Sequence, residues 1–322
     1  MQNTKRLIPL LLCLVMLILC ACTGAGQSDP SGHTGASTQE TIDPNAPLSD
    51  GKTLKLLAIT SSFGLNTTQF LYDIAVAEGC TDVVVGRLYA SGCTLAKHVE
   101  NAQLNAAGYT YTKNSTGTWE TIEAASMLYG LQDEDWDIIF IQQSAAQSPI
   151  IETYGDNIDL LMQYVQTNKT NPNARFVWNM TWAYQGDSDQ MVFTTVFKSN
   201  QMDMYETIVD VVQDKIVPRT DFTAIIPTGT AIQNARTSYF GDTLTKDTYH
   251  LNNLGKAIAG YTLYSVLTDK ELTKINLGPV NSYDIQNDYL TLTEDDKAVI
   301  IEAVNAAIKN PYEITRSTHK EQ

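Results

Sequence analysis

The sequence predicts a three-layer α/β/α sandwich on a mainly parallel sheet of about five strands. Three observations carry that expectation. Short apolar runs of strand length recur along the chain, hydrophobic at consecutive rather than alternating positions. Such runs are strands buried on both faces. Between them lie stretches with apolar residues at helical spacing, and strands alternating with helices imply parallel pairing with helices on both sides. Finally, 322 residues with 43% hydrophobic and 18% charged content suffice for a sizeable core.

The elements follow in order. Leu54 to Ile59 is the first strand, and Phe70, Leu71, Ile74 and Ala75 then recur at helical spacing. Asp82 to Tyr89 is the second strand, centred on Val83-Val84-Val85, with a helix from Leu95 to Leu104. Tyr109-Thr110-Tyr111 and Gly117-Thr118-Trp119 flank Asn114-Ser115, a hairpin signal. Ile122 to Leu131 reads as helical, and Trp136 to Ile141 is the third buried strand. A helix over Ile158 to Val165 leads to a fourth strand opening at Phe176-Val177-Trp178. Met202 to Val217 is a long helix stopped by Pro218; Ala224-Ile225-Ile226 is the fifth strand, stopped by Pro227. Leu254 to Leu267 is helical, and Thr293 with Asp296 forms a capping box opening a last helix to about Lys309.

Before the domain lies a targeting segment. Lys5 and Arg6 precede a run from Leu7 to Leu19 that is long enough for a secretory h-region and short for a spanning helix. It ends Leu19-Cys20-Ala21-Cys22, which resembles a bacterial lipobox. That resemblance implies cleavage after Ala21, with residues 1–21 removed and Cys22 lipidated. The protein is then expected on the extracellular face of the cell membrane, held there by its lipid alone. Residues 22–50 are rich in Gly, Ser, Thr, Gln, Asp and Pro without apolar periodicity, and read as a flexible tether that includes His33. The domain is expected over residues 51–315, with 316–322 as a tail.

Composition excludes several functions. The net charge is −15, which repels phosphate backbones and argues against nucleic acid. Four His, five Cys and no metal motif argue against a metal site, and no Walker or dinucleotide glycine pattern calls for a nucleotide cofactor. Three of the five Cys lie in the targeting segment. The other two, Cys80 and Cys93, flank an eight-residue strand that spans about 26 Å. Bridged Cα atoms lie within about 7 Å, so a mutual disulfide is not expected.

Ligands in such sheets bind at the carboxyl ends of the strands. Thr60-Ser61-Ser62-Phe63-Gly64 follows the first strand, Ala90-Ser91-Gly92-Cys93 the second and Gln142-Gln143-Ser144 the third, while Asp247-Thr248-Tyr249-His250 lies on a late loop. A hydrolytic Ser needs a base and needs donors where negative charge develops. Each residue also has a plainer role. Ser61 and Ser62 can cap a helix. Asp247 can cap a loop, and the two Gln can be surface amides. His98, inside the predicted helix, is a packing or substrate-contact residue. Gln185-Gly186-Asp187 reads as a polar loop.

These blocks, with Thr181-Trp182-Ala183-Tyr184, Ile226 to Ile232 and Arg236, resemble the SGNH (GDSL-like) hydrolase superfamily, in a bacterial branch catalogued as a domain of unknown function. The resemblance covers residues 53 to 315 and implies a flavodoxin-like sheet. It implies Ser62 as nucleophile, His250 as base and Asp247 as acid. The N–H groups of Ser62 and Gly92 would be oxyanion donors, with an amide from Gln143, or else Gln142, as the third. His98, Trp182 and Arg236 are weaker candidates for substrate contact; Trp182 would line a sugar edge, and Arg236 would clamp a carboxylate or pair with an Asp. The usual Gly-Asp-Ser is Thr60-Ser61-Ser62 here, and the usual Gly-x-Asn-Asp is replaced around Gln142-Gln143-Ser144.

Three function classes result: a surface serine esterase acting on an acylated carbohydrate or other small ester, a catalytically silent glycan-binding lipoprotein, and an adhesion scaffold.

Overall fold

In a computed structural model, residues 46–282 and 288–320 are described. The signal segment 1–21, Cys22 and His33 lie outside the described residues.

The chain runs β1 (Thr53–Thr60), α1 (Ser62–Thr68), α2 (Leu71–Ala77), β2 (Asp82–Tyr89), α3 (Leu95–Gln103), β3 (Tyr109–Asn114), β4 (Trp119–Ala125), α4 (Met127–Gln132) and β5 (Ile138–Ile141). It continues with α5 (Asn157–Asn168), β6 (Arg175–Asn179), α6 (Met191–Thr195), α7 (Gln201–Lys215), β7 (Phe222–Ile226), α8 (Thr228–Arg236) and α9 (Asn253–Thr268). A two-stranded ladder of β8 (Val280–Asn281) and β9 (Tyr289–Leu290) precedes α10 (Glu294–Lys309).

The main sheet has seven strands in the order β4-β3-β2-β1-β5-β6-β7. β2, β1, β5, β6 and β7 are mutually parallel, as the unbroken apolar runs require. The expected five strands become seven because the hairpin joins the sheet: β3 pairs antiparallel with β2, and β4 with β3. This corrects the helix expected from Ile122. Residues Trp119–Ala125 are strand, and the helix starts only after Ser126, whose hydroxyl accepts the Tyr129 N–H at 3.2 Å. The hairpin turn sets that outcome, since Gly117 has φ +89 and its N–H is held by Asn114 Oδ1 at 2.8 Å.

On one face α1, α2, α8, α9 and α10 pack together; α3, α4 and α5 pack together on the other. β1 and β5 are buried on both sides, and Trp136, Trp178 and Trp182 fill the core. The capping box of α10 is present, with Thr293 Oγ1 accepting from Asp296 N and Asp296 Oδ2 accepting from Thr293 N. Cys80 and Cys93 are both buried and free at opposite ends of β2.

Both domain limits extend beyond those expected. Leu48 is in the core, and Arg175 donates to the Ala46 and Pro47 carbonyls, so the domain begins before residue 51. At the other end, Ser317 and Thr318 bond Glu302, and His319 O accepts from Tyr239 N at 2.9 Å, so residues expected as a tail pack on the domain.

Candidate active site

Register brings the strand ends together. Thr60 lies opposite Tyr89, Ile59 opposite Ile141, Ile141 opposite Trp178, and Asn179 opposite Ile226. The segments leaving β1, β2, β5, β6 and β7 therefore share one edge.

Ser62 is the first residue of α1. Its N–H has no acceptor within the helix and is free for another oxygen. Ser61 stands at the N-cap but makes no side-chain capping bond. Phe63, which follows, stacks on Trp182 at 3.9 Å. The turn is tight because Gly64 has no side chain: a Cβ there would lie 1.8 Å from Thr60 Oγ1.

The late loop delivers the other two groups. His250 Nε2 lies 2.8 Å from Ser62 Oγ, and Nδ1 lies 2.8 Å from Asp247 Oδ2. A carboxylate only accepts, so Nδ1 carries the hydrogen and Nε2 is left to accept from the Ser62 hydroxyl. Asp247 Oδ1 also accepts the His250 backbone N–H at 2.8 Å. Burial alone would raise the Asp247 carboxyl, but its hydrogen bonds from the His250 ring and backbone outweigh that and hold it below the usual range.

Holding acid and base three residues apart costs backbone strain, since Thr248 between them has φ +72, unusual for a β-branched residue. Neighbouring segments hold it there. Gln185 N donates to Thr248 O at 2.8 Å, Thr248 Oγ1 to Ser188 Oγ at 3.0 Å, and Thr245 Oγ1 to Gln185 Oε1. Trp182 Nε1 donates to Tyr249 O at 2.8 Å, and Leu251 N to Asn66 Oδ1 at 2.9 Å. Asn66 lies on α1, so the helix that starts at Ser62 also fixes the histidine loop. Nothing in the sequence pattern singles out Asn66, whose partner is 185 positions away.

Gly92 is exposed with φ +58, and a Cβ there would meet nothing within 4 Å. The left-handed conformation, rather than crowding, calls for glycine. The amide expectation is corrected. Gln143 is engaged elsewhere: its Oε1 accepts from Leu95 N at 3.0 Å and Ser144 N at 2.8 Å, and its Nε2 donates to Thr153 Oγ1 at 3.1 Å. Gln142 is the amide facing the serine turn, with Nε2 3.4 Å from Ser61 Oγ. Both glutamines lie past the end of β5 at Ile141, where the alternation of side chains along a strand no longer fixes their direction.

The three weaker candidates are all buried and engaged with other parts of the domain. His98 is fully buried and stacked on Tyr109, whose hydroxyl lies 2.9 Å from its Nδ1; burial drives its pKa down to about 3, so it stays neutral. Trp182 supports Phe63 and the histidine loop instead of lining a sugar edge. Of the two roles open to Arg236, the structure selects pairing: Nε lies 2.9 Å from Asp242 Oδ1, and Nη1 donates to Ala183 O. The Gln185-Gly186-Asp187 loop, expected to be merely polar, braces the segment carrying Asp247 and His250.

Fold and site together define a three-layer α/β domain with a Ser-His-Asp hydrogen-bonded relay at the carboxyl edge of its sheet. The chain belongs to the DUF4886 family, described as a domain of unknown function, which matches residues 55–287. A DUF4886 family protein from Bacteroides uniformis ATCC 8492 is 30% identical, with a TM-score of 0.73, covering 84% of this chain and 100% of that one. More distant structures include a candidate SGNH hydrolase from Slackia heliotrinireducens, at 15% identity and TM-score 0.41, covering 67% of this chain and 100% of that one. Another is a candidate GDSL-like lipase from Parabacteroides merdae ATCC 43184, at 11% identity and TM-score 0.42, covering 68% of this chain and 98% of that one. No curated protein matches the chain.

Proposed function

We propose that the protein is a serine esterase of SGNH type acting at the cell surface on an acylated carbohydrate or other small ester. One observation carries the reading: Ser62, His250 and Asp247, far apart in sequence, are joined at 2.8 Å per link with the tautomer a nucleophilic serine needs. His250 Nε2 takes the Ser62 proton as Oγ attacks the ester carbonyl. The Ser62 and Gly92 N–H groups hold the resulting oxyanion, with the Gln142 amide on the same side. The protonated His250 then gives its proton to the leaving alcohol. Water, activated by the same imidazole, releases the acid and restores Ser62. Asp247 keeps the ring oriented and stabilises it when charged.

The carbohydrate preference rests on a rim that is aromatic and polar together. Tyr249 packs against the His250 ring at 4.0 Å between centroids, and Tyr184 lies 5.6 Å from Tyr249, which sets aromatic faces beside the base. Such a rim suits a sugar ring. Lipidation at Cys22 after removal of residues 1–21 would hold the domain at the membrane, and a mature N-terminus at any other residue would overturn that part.

The test is hydrolysis of p-nitrophenyl acetate and labelling by a fluorophosphonate. Wild type turns over and is labelled; Ser62→Ala does neither while melting as wild type does. Full activity in Ser62→Ala would overturn the assignment. Inert wild type that still binds glycan would leave the silent binding protein in its place.

A further inference from the structure

Polar side chains stand in a row across the carboxyl edge of the sheet, one per strand end: Thr228 after β7, Asn179 at the end of β6, Gln142 after β5 and Ser61 after β1. All four are essentially buried. Thr228 Oγ1 donates to Asn179 Oδ1 at 2.6 Å, and Asn179 Nδ2 donates to Gln142 Oε1 at 2.9 Å. Gln142 Nε2 reaches Ser61 Oγ at 3.4 Å. The register explains the meeting: Ile141 pairs with Trp178, so the next residue on each strand, Gln142 and Asn179, are neighbours.

The direction of this chain is fixed at one point. Thr67 Oγ1 donates its only hydrogen back to Phe63 O at 3.1 Å, so towards Asn179 it can only accept. Asn179 Nδ2 lies 3.4 Å from it. The Asn179 nitrogen therefore faces Thr67 and Gln142, which puts the Gln142 carbonyl towards Asn179 and its NH2 towards the serine turn. Turning Gln142 over would set donor against donor at Asn179, and turning Asn179 over would set acceptor against acceptor at both Gln142 and Thr67; each buried mismatch is costly.

We infer that Asn179 is a positioning residue that fixes which end of the Gln142 amide faces the nucleophile turn. This rests on the serine esterase reading and deepens it. Asn179 touches no substrate; it acts through Gln142. Thr67 supplies the polarity from inside α1, the helix that begins with Ser62, so the chain of bonds starts and ends beside the nucleophile.

The test is a double-mutant cycle in the full domain, read by kcat and KM on p-nitrophenyl acetate. Active sites are counted by fluorophosphonate titration, so that unfolded protein does not enter kcat. Asn179→Leu should lower kcat per active site about tenfold or more with KM nearly unchanged, and should slow fluorophosphonate labelling in proportion. In a Gln142→Ala background the same substitution should cost nothing further, because its target is gone. A purely structural role would lower the melting temperature and leave kcat per titrated site unmoved. Unchanged kcat in Asn179→Leu, or losses that multiply in the double variant, would overturn the inference. If Asn179→Leu does not fold, Thr67→Val removes the fixed acceptor without changing volume and should lower kcat in the same sense; unchanged kcat there overturns the inference equally. Residual turnover in Ser62→Ala would signal instead that the serine reading itself has failed.

Discussion

Replacing Gly64 by Ala tests whether the serine turn depends on a missing side chain. The added Cβ would lie 1.8 Å from Thr60 Oγ1, 2.7 Å from Thr60 Cβ and 3.1 Å from Phe140 Cε1. Ordinary carbon contacts lie at about 3.5–4.0 Å, so Thr60 must move or rotate. Thr60 is fully buried on β1, and its hydroxyl donates to Ser61 O at 3.0 Å. Overpacking of this kind costs about 1–3 kcal/mol. Losing the hydrogen bond adds about 1 kcal/mol. Ala over Gly in a helix returns up to about 1 kcal/mol. The net is about 1–3 kcal/mol destabilising, or a fall of about 2–5 °C in melting temperature for a domain of this size. Thermal unfolding followed by circular dichroism measures it, with Gly278→Ala as control, because a Cβ at Gly278 meets nothing within 4 Å. Fluorophosphonate labelling should slow in Gly64→Ala beyond what the unfolded fraction explains, since Ser62 lies in the displaced turn. A melting temperature at or above that of wild type would refute the reasoning.

Three further outcomes are expected. Asp247→Asn should lower turnover by about 10⁴ with little change in fold, because an amide placed against Nδ1 favours the wrong tautomer; a loss under tenfold would remove Asp247 from the relay. His98→Phe should leave kcat unchanged and shift only the melting temperature, since the imidazole is buried and neutral; a selective loss of kcat would restore a substrate role to His98. Stability should fall on acidification below about pH 5. Burial raises Asp133, Asp247 and Glu302, but hydrogen bonds outweigh it and leave all three lowered. Their contribution is therefore full above the unfolded-state carboxylate range and is lost as pH drops through the lower folded values. Asp137, raised by burial, works in the opposite sense. A urea midpoint constant from pH 6 to pH 3 would contradict this balance.

The parallel sheet was legible because strands buried on both faces carry unbroken apolar runs, as in Leu54 to Ile59. The hairpin turn was legible too, but not that β4 continues to Ala125: its outer face is exposed, and Ile122 and Ala125 fit helical spacing as well as strand. Ser62, Gly92 and the Asp247–His250 pair stood out because chemistry restricts residue type at strand ends. The supports did not. Asn66, Asn179 and Gln185 act through partners 37 to 185 positions away, and an isolated amide gives no local signal of a distant partner. Gly64 was hidden by its place, two residues after the serine, where the resemblance sets a glycine two residues before it.

The two free thiols of the domain bear on how such a chain can be made. Cys80 and Cys93 are buried, and burial raises both, Cys93 to about 12, so neither supplies an appreciable thiolate near neutral pH. Folding is then not gated by oxidation. The native fold needs no bond between these two thiols, and once folded their burial protects them from oxidation. The domain is equally at home in a reducing cytosol and in an oxidising exterior, so protein produced in either compartment should melt at the same temperature with or without a reductant.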